Sequence, residues 1–88
     1  MDNKEIAQWM LSQLNAENCL YQEDVVDYLV KLNCELFLIE NSDGNQVLNR
    51  TLLAEFNKLT KDNVVWVTSG RYWRFRVAED ESGRNARG

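Results

Sequence analysis

The chain has no histidine, no proline and only two cysteines and four glycines in 88 residues. Without histidine, His-based metal triads and the Ser-His route to an activated nucleophile are closed. The four glycines form no phosphate-cradling or dinucleotide motif. Cys19 and Cys34 lack metal-ligand spacing and flank an acidic stretch, which disfavours a reactive thiolate. Both are expected as free thiols packed like small core residues. No apolar run is long enough for a bilayer and no signal-peptide pattern opens the chain, so a cytoplasmic protein with no membrane role is expected. No cofactor, metal, small-molecule substrate or enzymatic activity is inferred.

What is present is a single foldable domain. Hydrophobic residues make up 44% of the chain, enough for a modest core at this length. The net charge of −4 hides an asymmetry. Residues 1–48 carry two lysines against nine acids, or −7. Residues 49–78 carry six lysines and arginines against two acids, or +4. Residues 79–88 add −1 and lose all periodicity, which reads as a disordered tail after a domain over 1–78. An acidic end and a basic face on one molecule suit a charged partner or a second copy.

The basic part holds the strongest local signal. VVWVT and RYWRFRV flank Ser69-Gly70, and this pattern predicts a hairpin with Val64 opposite Phe75, Trp66 opposite Trp73, Val67 opposite Tyr72 and Thr68 opposite Arg71. Alternation then places Val64, Trp66, Trp73, Phe75 and Val77 on a core face. Val65, Val67, Tyr72, Arg74 and Arg76 fall on an outer aromatic and cationic face. Before it, Asn49 caps a helix that buries Leu52, Leu53, Phe56 and Leu59 and turns Arg50, Asn57, Lys58 and Lys61 outward.

Two helices precede this unit. Asp2 and Glu5 form a capping box for a helix to about Asn15, on which Ile6, Trp9, Met10 and Leu14 make a core stripe. Cys19–Tyr21 reads as a short strand. QEDVVDYLVKLN reads as a helix burying Val25, Val26, Leu29 and Leu32, with Glu23, Asp24 and Asp27 as its solvated acidic start. ELFLIE and QVL read as two strands around turn residues 41–45. A two-residue turn at Asp43-Gly44 would set Ile39 opposite Leu48. The same loop fails as a calcium site, because the glycine and the terminal glutamate are not at the required positions.

Helix, short strand, helix, helix, hairpin resembles the order of a winged-helix domain. The expectation is therefore an α+β, winged-helix-like fold of three helices with a C-terminal β-hairpin wing. A possible extra hairpin lies between helices two and three. The segments IAQWML, LYQEDVVDYL, GNQVLNRTLLAEFNKLT and VVWVTSGRYWRFR also resemble a family of small uncharacterised bacterial proteins, some of the kind carried on mobile gene cassettes. That resemblance implies a fold and no activity. Two functions follow as expectations. The first is a non-catalytic module for a protein partner or a homodimer, using Val65, Val67, Tyr72, Arg74 and Arg76, with Tyr21 beside them. The alternative is a DNA-binding regulator. The winged-helix resemblance would place Arg50, Asn57, Lys58 and Lys61 on a reading helix and Arg71 near the wing.

Overall fold

Local chemistry at the helix ends sets the frame. The computed structural model describes residues 2–61, 63–77 and 85–86. Helix α1 spans Asn3–Glu17, and the Asp2 carboxylate accepts from the Glu5 amide at 2.8 Å. The helix outruns its expected end at Asn15. It stops where Asn18 takes a left-handed φ of 64° and donates its N–H to the Leu14 carbonyl. Helix α2 spans Gln22–Lys31 and closes with Asn33 at φ 57°. There the Cys34 amide returns to the Leu29 carbonyl at 2.8 Å, a Schellman closure. Helix α3 spans Arg50–Leu59, with the Asn49 side chain accepting from the Leu52 amide at 2.8 Å. No described helix is long and apolar enough to cross a membrane.

Short strands complete an α+β architecture. Strand β1 (Cys19–Tyr21) lies between α1 and α2; β2 (Leu38–Glu40) and β3 (Gln46–Leu48) form a hairpin between α2 and α3. After α3 come β4 (Val64–Val67), β5 (Tyr72–Phe75) and β6 (Asn85–Ala86). One sheet has the order β1-β5-β4-β6, with β6 parallel to β4, and the other is the β2–β3 pair. The expected tail over 79–88 falls largely outside the described residues.

The β4–β5 register is the one read from the sequence: Val64 faces Phe75, Trp66 faces Trp73 and Val67 faces Tyr72. Thr68 to Arg71 form the turn, closed by the Arg71 N–H on the Thr68 carbonyl at 3.3 Å.

The core joins Ile6, Met10 and Leu14 of α1 to Val25 and Leu29 of α2, Leu52 and Phe56 of α3, and Val64 and Trp73 of the sheet. Phe56 meets Trp73 edge-on, with centroids 5.2 Å apart, and Trp73 touches Trp66 at 4.7 Å. Side chains at the ends of the expected stripes lie outside it. Leu32 and Leu59 are exposed, each at the C-terminal end of its helix. Thr60 is buried instead, its hydroxyl donating to the Phe56 carbonyl at 2.8 Å. Val77, expected on the core face, is exposed beyond the end of β5.

The middle of the chain differs most from expectation. Glu35–Phe37 form a 3₁₀ turn, so the strand begins only at Leu38. The β2–β3 register is shifted by one residue: Leu38 faces Leu48 and Ile39 faces Val47. The cause is the loop. The Asn41 side chain accepts from both the Asp43 and Asn45 amides at 3.0 Å, and Gly44 takes φ 80°. The turn is thereby closed one residue early, with Gly44 donating to the Asn41 carbonyl at 3.0 Å.

Candidate interaction surfaces

The outer face of the hairpin is not an open surface. Val65 and Val67, expected there, are 0% and 1% exposed, while Tyr72, Arg74 and Arg76 are half-buried. The expectation was of a hairpin with one core face and one open aromatic and cationic face. Strand β4 is an inner one, flanked by β5 and by Asn85–Ala86, which pair with Trp66 and Val67. The two valines do not join the main core cluster, in keeping with their position on the opposite side of the sheet from Val64. Arg74 is drawn onto the chain, donating from Nη1 to the Phe75 carbonyl at 3.1 Å.

Helix α3 packs on α1 and turns a basic side outward. Arg50, Lys58 and Lys61 are exposed and Asn57 is half-buried. Lys58 pairs with Glu55 at 3.4 Å, one turn along the same helix. Arg71 lies elsewhere. It rims a hollow of about 330 Å³ together with Glu23 and Asp27, which no α3 residue lines. Arg71 thus sits in the β4–β5 turn, near the expected wing, and the other residues of the nucleic-acid set lie on α3 or, for Lys61, just after it.

A second concavity lies between α1, β1 and α2. Trp9 and Tyr28 stack with centroids 3.7 Å apart and planes 8° from parallel. Both are half-buried and help line a groove of about 560 Å³, whose rim includes Tyr21, Glu17, Asp24 and Asp27. Tyr21 and Asp27 also line the smaller hollow, so the two concavities adjoin. Tyr21 in turn leans on Tyr72 with centroids 5.1 Å apart. Trp9, expected in the core, is half-buried and packs against it, and Asp24 and Asp27, expected as a solvated helix start, are exposed; the groove they share was not foreseen. The clue was present in the spacing: Asp24, Asp27, Tyr28 and Lys31 recur at three and four residues, one side of α2 away from Val25 and Leu29.

Exposed apolar side chains are concentrated in one stretch. Val30, Leu32, Leu36 and Ile39 are four of the seven large hydrophobic residues exposed among those described, and Leu36 is 76% exposed. The stretch is well tied down. Asn49 donates from Nδ2 to the Leu36 carbonyl at 3.3 Å and from its backbone to the Phe37 carbonyl at 2.8 Å. Its fixed backbone therefore holds apolar groups in water. Sequence periodicity did not single out this stretch, because Leu32 matched the core stripe of its helix and Ile39 was expected opposite Leu48.

Cys19 and Cys34 are free and half-buried. Among the described residues, no group of three or more His, Cys, Asp and Glu side chains is arranged to hold a metal ion.

Residues 2–75 match the model of a family of unknown function (DUF6953), and the chain belongs to that family. No curated protein and no solved structure matches the chain.

Proposed function

We propose that this member of the DUF6953 family is a non-catalytic protein-interaction module that associates with a second copy of itself. Its contact is the apolar surface of Val30, Leu32, Leu36 and Ile39. The observation that carries this reading is the exposure of Leu36 and its neighbours on a backbone held by Asn49. Exposed apolar groups that lie together mark interaction sites more often than isolated ones do, and these four fall within residues 30–39. Burying a large aliphatic side chain contributes about 1.5–3 kcal/mol, so four partly exposed ones supply a useful share of a weak dimer contact. A cytoplasmic setting, in which both cysteines remain thiols, accompanies this reading. So does the bacterial cassette-type origin suggested by the sequence resemblance.

Sedimentation equilibrium tests it. Self-association should appear by about 1 mM, where a contact of roughly 4 kcal/mol is half-formed. Leu36→Asp with Ile39→Asp should return the protein to single-chain mass while leaving its circular dichroism intact. A wild-type chain that stays at single-chain mass throughout refutes self-association.

A second reading, a DNA-binding winged helix, has its own support. Strand β1 pairs with β5 in a β1-β5-β4 order, α3 leads into the β4–β5 hairpin, and Arg50 and Lys58 stand exposed on α3. Anisotropy of a labelled duplex at low and physiological salt tests it. Binding through α3 should weaken steeply with salt and vanish in Arg50→Glu with Lys58→Glu. Binding that survives this double change places the contact elsewhere.

A further inference from the structure

We propose that the groove between α1, β1 and α2 binds an arginine-bearing segment of a partner protein. This goes beyond the self-association reading and does not depend on it, because none of Val30, Leu32, Leu36 and Ile39 lines the groove.

Three observations converge on a guanidinium. The first is the aromatic wall. Trp9 and Tyr28 are locked against each other at 3.7 Å, so the wall is already ordered before any ligand arrives. Cations are attracted to indole and phenol rings, and a planar guanidinium also stacks on them. The second is charge. Glu17, Asp24 and Asp27 share the lining with a single cation, Lys31. Carboxylates beside an aromatic wall suit an arginine, which forms paired hydrogen bonds with one group while stacking on the other. The third is size. A groove of about 560 Å³ falls in the range that encloses a small ligand, so it admits a few side chains of an extended segment.

Among the described residues, the exposed cations Arg50, Lys58 and Arg71 make poor occupants. Arg50 and Lys58 project from one side of a folded helix, a convex surface. Arg71 already rims the adjoining hollow.

The test uses the whole chain and a fluorescent oligoarginine peptide, with oligolysine of equal length as comparator. Anisotropy at low salt should show oligoarginine binding at least about fivefold tighter than oligolysine. Asp24→Asn with Asp27→Asn should weaken oligoarginine about tenfold or more, and Tyr28→Leu about fivefold with no change in charge. The charge-matched control Glu35→Gln with Glu40→Gln, outside the groove, should cost less than about twofold. If Tyr28→Leu does not fold, Trp9→Leu replaces it, and thermal melts qualify every variant. Equal losses in the groove and control variants would overturn the proposal, as would equal affinity for the two peptides or no binding at low salt. Salt-sensitive self-association abolished by Asp24→Asn with Asp27→Asn would also overturn it, since a second copy would then fill the groove.

Discussion

The turn between β4 and β5 has its glycine one position away from where the backbone would use it. Arg71 adopts φ 55°, a left-handed conformation, whereas Gly70 does not have a positive φ. For an L-residue this conformation costs about 1–2 kcal/mol, because Cβ approaches the following carbonyl. Glycine avoids that clash but loses more chain entropy on folding, worth about 0.5–1 kcal/mol. Arg71→Gly should therefore stabilise the domain by about 0.5–1 kcal/mol, since the arginine side chain is exposed and contributes little packing. In a domain of this size that raises Tm by about 2–8 °C.

Gly70 is needed for a different reason. The Tyr72 ring lies directly where a Cβ on residue 70 would be placed. Gly70→Ala must push that ring away and loosen its contact with Tyr21, costing about 1–3 kcal/mol. The two neighbouring changes thus move stability in opposite directions. Urea unfolding followed by circular dichroism, with Tm as a second readout, measures both. A destabilised Arg71→Gly, or a Gly70→Ala indistinguishable from wild type, would refute the argument.

Two other substitutions probe the frame. Phe56→Ala removes a fully buried ring that packs edge-on against Trp73, and should cost about 3–5 kcal/mol, seen as a large drop in the urea midpoint. Asn49→Ala removes the cap on Leu52 and the tie to Leu36, and should cost about 1–2 kcal/mol, while Asn49→Ser restores most of the cap without the tie. Hydrogen exchange separates the two roles: both variants should speed exchange around the 3₁₀ turn, and only Asn49→Ala should fray the start of α3.

Much of the frame was legible because it is local. The Asp2 and Asn49 caps, the three helices and the β4–β5 register depend on residues a few positions apart, and the chain forms them as their side chains dictate. The surfaces were less legible because they depend on distant segments. Val65 and Val67 follow strand alternation correctly, yet both are buried, and β4 also pairs with Asn85–Ala86, eighteen or more residues later. Trp9 belongs to an apolar stripe, but its stacking partner comes from another helix. Periodicity assigns a side chain to a face; it does not say what covers that face.

The β2–β3 hairpin makes the point sharpest, since one residue of register decides which side chains meet water. With Leu38 opposite Leu48, both are buried, and Ile39 is left 47% exposed. The two-residue turn expected from Asp43-Gly44 would have exchanged those roles, as a one-residue slip does for a whole strand. Two amide contacts to the Asn41 side chain and the left-handed Gly44 hold the observed register, and so help create the apolar patch. A cross-strand disulfide distinguishes the registers. Glu40 and Gln46 are exposed and directly opposite, so Glu40→Cys with Gln46→Cys should oxidise readily in a background carrying Cys19→Ala and Cys34→Ala. Glu40→Cys with Val47→Cys should not, because those side chains point to opposite faces. Mass spectrometry of the oxidised proteins gives the answer directly. If the second pair closes and the first does not, the register is the slipped one, Ile39 belongs to the core, and the proposed dimer surface loses one of its four residues.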